Sequence, residues 1–464
     1  MGNRSRSKRL LRAGLVFGLV ALFPGVASAH EVSGSRLQTP LPLSVLLAGA
    51  GVTVASTALW LAVTDRTPAA TDGRARSLTV PASVARPLSV AVTALFLAGV
   101  ASVLVFGFVG RQVAAENVAT VFTWPLWFRG LALLALVFGT AWQLLSPWRA
   151  IYRGLAWLEG GQFAVLGTYP AALGAWPAVV GFVALVGITE NLTVIPRSPR
   201  LTGVVVAAYG LAMVAGATLF GTAWLRHADP LGVFYRLFGR VAPLAFDRGE
   251  RGGYTVSLRS PWTGCLDPFA SVSLVVFAIA TVYTVSFDGF TETRAYQTVL
   301  FDLRGLLGTG PETSILLYVF GLAGFVLTFA AASWAVERLG GSPDRNWVTA
   351  ARWFAPTVLP IAGAYEVAHN YPYVIRNLGT LVSMSVPGVE SVDVLGWLSV
   401  SLFWGSQVVL VVAGHVVAVV AAHAVARSRY DSPAAARRGH LPLVVLMIGY
   451  TVLSLWIISQ PVVG

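Results

Sequence analysis

Cysteine is almost absent from this 464-residue chain: Cys265 stands alone. An internal disulfide and any multi-cysteine metal knuckle are thereby excluded. Charge is scarce too, at 11% of residues, against 56% hydrophobic and a mean hydropathy of +0.72. Soluble domains of ordinary size do not have this composition. Phosphate-loop and dinucleotide-binding patterns are missing, as is a nucleophile elbow, and no internal repeat of fixed period is visible. The net charge of +12 is not gathered into a basic domain, which excludes the usual nucleic-acid footprint.

What is present is a succession of apolar runs, each long enough to cross a hydrocarbon core about 30 Å thick as a helix. The expected fold is all-α, a polytopic transmembrane bundle of about ten spans in one domain over residues 30–464. The spans are placed at Leu41–Val63, Pro87–Phe108, Ala119–Leu145, Pro170–Ile188, Leu201–Leu225, Ala270–Ser286, Thr313–Val336, Ala351–Ile375, Leu402–Val425 and Leu441–Ile458.

Residues 1–29 read as a cleaved signal peptide. Arg4, Arg6, Lys8, Arg9 and Arg12 make a basic head, Leu15–Leu22 an apolar middle, and Ala27-Ser28-Ala29 a small-residue cleavage site. Cleavage leaves His30 at the mature N-terminus, outside a cell membrane. Arginines then concentrate in the inner connections, among them Arg74, Arg76, Arg86, Arg149, Arg153, Arg427, Arg429, Arg437 and Arg438. Residues 226–267 form the longest inner connection. Its aromatic and arginine alternation over Gly232–Arg240 predicts an interfacial helix, followed by a turn and a hairpin strand over Tyr254–Leu258. Trp124, Trp127, Trp148, Trp176, Trp262 and Trp404 lie near predicted helix ends, where interfacial anchors sit.

Charged groups in mid-span cost about 2.5–3.5 kcal/mol each, so each needs a partner or a water-lined cavity. The polar intramembrane set is Arg129, Asp288, Glu366, Gln407 and His423, with Glu190 at a span end, and most of it falls in the outer half. Glu366 and His369 share a helix face, a spacing that serves either one metal ion or an ion pair of Glu366 with Arg129. A mature N-terminal His30 offers an amine and a ring to copper. His30, His369 and His415 together make a candidate copper or zinc site on the exported side. Haem is disfavoured, because His369 lies about 12 Å shallower than His415 along the helix axes. His227 and His440 abut arginine-rich loops and read as interfacial.

Several short motifs occur in fixed order: Ala29-His30, Ser146-Pro147-Trp148-Arg149-Ala150, Phe287-Asp288-Gly289, Val367-Ala368-His369, Gln407 with Ala413-Gly414-His415, and Ala422-His423. In these the chain resembles the fenitrothion hydrolase-like family of multi-spanning membrane proteins. The resemblance implies hydrolysis of organophosphate-like esters and carries no established catalytic residues. Three functions follow as expectations: a membrane-embedded metal-dependent hydrolase, a transporter or copper-handling permease with a polar path for a small molecule or ion, and a non-enzymatic subunit of a membrane complex. Pro356, Pro360 and Gly363, which break span eight, favour the second.

Overall fold

In lipid each backbone N–H and C=O must be satisfied within its own segment, so long apolar runs become helices. The computed structural model describes residues 42–64, 77–249, 252–341, 346–389 and 393–460, all within one unit spanning Thr39–Gly464. The expected signal peptide and His30 lie outside the described residues.

In chain order the principal helices are α1 (Leu43–Thr64), α2 (Ala82–Val109), α3 (Val118–Phe138), α4 (Pro147–Leu158), α5 (Trp176–Glu190), α6 (Pro199–Phe220), α7 (Pro230–Phe238), α8 (Val272–Thr291), α9 (Arg294–Leu307), α10 (Glu312–Gly340), α11 (Trp347–Phe354), α12 (Leu359–Ser385), α13 (Val400–Arg429) and α14 (Pro433–Ser459). Among the described residues, eight helices are long and apolar enough to cross a membrane: α1, α2, α3, α6, α8, α10, α13 and α14. The protein is an all-α, multi-pass membrane helix bundle.

Two expected spans take other forms. The fourth is the shorter α5. The eighth is α11, a 3-10 turn over Ala355–Val358 and then α12. Pro356 and Pro360 each sit where a helical segment begins, the position at which a missing N–H costs nothing. Glu366, His369, Asn370, Arg376 and Asn377 make α12 the most polar of the long helices. The third and fifth spans stop short of their expected ends, at Gly139 and Gly221, whose φ of 71° and 69° are open to glycine without strain.

A small antiparallel sheet gives the bundle a reference end. Strands β1 (Ser77–Val80), β2 (Leu244–Arg248) and β3 (Tyr254–Leu258) are ordered β1-β3-β2, with Leu78 and Phe246 both opposite Val256. The connection after α1 and the one between α7 and α8 therefore lie together. Arg437 Nη1 donates to Ala62 O at 3.1 Å, and Arg429 pairs with buried Glu337, so the α13–α14 connection and the last turns of α1 and α10 join them. This is the sheet end. Four of the expected inner connections thus meet at one end of the bundle.

The helix expected over Gly232–Arg240 forms as α7, but it does not lie on the surface. All but one of its residues are buried, because both its aromatic and its aliphatic sides meet protein. Asp229 caps it, accepting from the Gly232 N–H at 3.0 Å. Tyr235 donates to Trp127 O at 2.8 Å, and Phe234 packs on Phe182 at 5.1 Å between ring centres. Three of the expected tryptophan anchors are also interior. Trp124, Trp127 and Trp148 are buried in an aromatic core with Trp142 and Tyr209, and Trp124 Nε1 donates to Thr202 Oγ1 at 3.0 Å.

Candidate functional site

Arg129 comes from an unusual stretch of α3. Residues Phe122–Gly130 form a π-helix around Pro125, which has no N–H to give. Glu190 ends a second π-helical stretch, Val183–Glu190 of α5. Wide turns of this kind recur at functional sites because they shift the register of the side chains that follow. Here two separate helices widen where they deliver opposite charges to one point.

The Arg129 guanidinium is 3% exposed and is bonded on every nitrogen. Its Nε donates to Glu190 Oε1 at 2.7 Å. Nη1 donates to both Glu366 oxygens, at 3.3 and 3.1 Å. Nη2 donates to Asp288 Oδ2 at 3.0 Å and Asn191 Oδ1 at 3.3 Å. Four helices, α3, α5, α8 and α12, thus converge on one cation, and three carboxylates share it.

Exposure rises outward from this point. The Glu366 side chain is 0% exposed, Asp288 16%, His369 18% and Glu292 54%. His369 Nε2 stands 3.9 Å from Asp288 Oδ2 and 3.8 Å from Glu292 Oε2, bridging the inner carboxylates to the outer one. Burial raises the Glu292 carboxyl above its ordinary range, while His369 pulls it the other way. The buried hydroxyl of Tyr365 and the amide nitrogens of Asn370 and Asn191 border the network without a hydrogen-bond partner. Gln407 Nε2 lies at the margin, 3.4 Å from Ala368 O.

His369 and His415 do not meet, which corrects the expected convergence. On the antiparallel helices α12 and α13, Gln407 lies against Ala368, Tyr371 bonds Ser406 at 3.0 Å, and Gly414 lies under Pro360 and Ala364. That register sets His415 level with Pro360, about 13 Å along the axis from His369. His415 Nδ1 instead pairs with Val411 O one turn back, at 2.8 Å. His423, expected in the polar set, is deeper still. Its ring meets His440 edge to face, 5.6 Å between centres. His440 is 4% exposed, an interior residue and not an interfacial one. His227 does sit near a surface, stacked on Tyr169.

Among the described residues no three His, Cys, Asp or Glu side chains are disposed to hold a metal ion. His369 is the one imidazole in the network, and the Asp288 oxygen nearest it is already taken by Arg129. The third expected ligand, His30, lies outside the described residues. Glu292, Asn191 and Tyr365 escaped the sequence reading. The i, i+4 spacing of Asp288 and Glu292 on one helix face was the available signal.

No protein-family model, curated protein or solved structure matches the chain.

Proposed function

We propose that the protein is an ion-coupled transporter of the cell membrane, with the sheet end in the cytoplasm and the mouth of the Arg129 network outside. The observation that supports this most is charge balance. Three carboxylates surround a single guanidinium inside a lipid-embedded bundle. Two uncompensated negative charges in low dielectric are costly, and bound protons or small cations complete the balance. Glu292 and His369 form the entry, Asp288 the relay, and Glu366 with Glu190 the inner acceptors. Ionisable groups inside membranes characteristically mark such paths. The orientation rests on the arginines of the sheet end, which follow the positive-inside pattern.

The test is a pH-jump current measurement on proteoliposomes adsorbed to a solid-supported membrane. Wild type gives a transient proton current. Glu366→Gln abolishes it, and His440→Gln, outside the network, retains it. A wild type without current, or a Glu366→Gln variant with full current, overturns the reading.

A second reading, hydrolysis of an organophosphate-like ester, follows from the family resemblance and is favoured by the accessibility of His369. An imidazole flanked by Asp288 and Glu292 at a solvent-facing mouth has the composition of a general base with its orienting carboxylate. Release of nitrophenol from a nitrophenyl phosphotriester by purified protein, lost in His369→Ala, supports it. No release by wild type excludes it.

A further inference from the structure

A second polar site lies at the sheet end, away from the Arg129 network. Arg149 of α4, Arg226 of the short helix Thr222–His227 before α7 and Arg236 of α7 line one small cleft with Gln143 and Thr140. None of the three arginines forms an ion pair among the described residues. Arg236 Nη1 donates to Arg226 O at 2.9 Å, which holds it beside its neighbour. The one acid in the cleft, Asp229, is 1% exposed, and its oxygens are taken by Trp142 Nε1, the Tyr209 hydroxyl and the Gly232 N–H. Burial, Arg153 and Arg226 disfavour the charged form of Arg149, against the opposing pull of Asp229. Three like charges thus share one cleft with a single buried carboxylate, Asp229, which favours the charged forms of Arg149 and Arg236 but pairs directly with neither.

On the other side of the 224–230 segment, between α5 and α6, runs an apolar groove of about 550 Å³. Trp224 and Ala228 border it beside the arginines, and Met213, Tyr209 and Leu185 carry it toward mid-membrane. Its volume is within the range of roughly 300–1,000 Å³ usual for small-molecule sites.

We propose that this pair of features binds one anionic phospholipid, its phosphate against Arg149 and Arg226 and an acyl chain in the groove. Basic clefts between transmembrane helices recognise lipid head groups in this way, and guanidinium forks suit phosphate oxygens. Charge selects the occupant, since a zwitterionic lipid would bring its own cation to an already crowded cluster. The groove selects a lipid over free phosphate, because only a lipid has an apolar part to bury there.

The experiment is native mass spectrometry of the full-length protein released from detergent, after incubation with phosphatidylglycerol, phosphatidylcholine or inorganic phosphate. Wild type retains phosphatidylglycerol in preference to phosphatidylcholine, and excess inorganic phosphate displaces it weakly. The Arg149→Gln/Arg226→Gln double variant loses about ten-fold or more of that retention. Ala212→Trp, which fills the groove and leaves the arginines intact, lowers it as well. Arg294→Gln at the opposite end changes nothing. Equal retention of the two lipids, or retention unaffected by either the arginine or the groove variant, overturns the proposal. Full displacement by inorganic phosphate overturns it too, and identifies a free-phosphate site.

Discussion

Arg129 and Glu366 meet through a single guanidinium nitrogen, Nη1, which lies 3.3 and 3.1 Å from the two carboxylate oxygens, with both side chains sealed from solvent. Removing one partner strands the other's charge, at a cost of about 3–5 kcal/mol, whereas replacing both with apolar groups leaves less to compensate. Arg129→Leu should therefore destabilise more than Arg129→Leu/Glu366→Leu, as read from detergent-solubilised thermal unfolding. The double variant still leaves Glu190 and Asp288 without their cation, so recovery should be partial. A cycle with no coupling between the two sites removes the pair from any account of stability.

The sheet contacts make a topological statement that labelling can check. Asp247 in β2 and Asp431 between α13 and α14 are exposed at the sheet end, and Asp302 of α9 is exposed near the other. Single cysteines introduced at 247 and 431 on a Cys265→Ser background should resist an impermeant maleimide in intact cells. A cysteine at 302 should react. Reaction at 247 but not at 431 would contradict the shared end, and the reverse pattern at all three sites would invert the orientation.

Cys265 itself should be inert. It is 0% exposed in a 3-10 turn outside the spans, and burial pushes its thiol up to about 12, against the opposing pull of Arg240 and Arg259. The thiolate is the reactive form, so iodoacetamide at pH 8 should modify the folded protein slowly and the denatured protein fast. A pKa raised by folding contributes stability that is complete below the unfolded value of about 9 and is lost as pH climbs toward 12. Cys265→Ser should flatten the fall in melting temperature over that window. Rapid alkylation of folded wild type would refute the burial.

Much of the bundle was legible because lipid imposes a simple rule, that an uncharged run of sufficient length becomes a helix. The pairing of Arg129 with Glu366 was legible for a related reason: similar depth and opposite charge leave few alternatives. Other features depend on information that apolarity does not contain. The π-helical turns that aim Arg129 and Glu190 leave the hydropathy unchanged. The burial of α7 depends on partners far away in sequence, Trp127 and Phe182 among them. Strand β1 is too short to show an alternation. Depth arithmetic already set His369 about 12 Å above His415, so their expected convergence depended on helix tilt to close the gap, and the register fixed by Gly414 against Pro360 keeps it open.

That dependence on close approach can be tested beside the network itself. A Cβ added at Gly289, next to Asp288, would overlap the Tyr365 hydroxyl. Overpacking of this kind costs about 1–3 kcal/mol, while alanine is favoured over glycine in a helix by about 1 kcal/mol. Gly289→Ala should therefore be destabilising, and the loss should be smaller than the clash alone implies. The Tyr365 hydroxyl is buried without a hydrogen-bond partner, so Tyr365→Phe removes an unsatisfied group at little cost. It also removes the atom that collides. In the Tyr365→Phe background the helix preference is then the larger effect, and Gly289→Ala should be neutral or stabilising in thermal unfolding. Equal destabilisation in both backgrounds would show that the α8–α12 contact, and not the hydroxyl, sets the limit at Gly289.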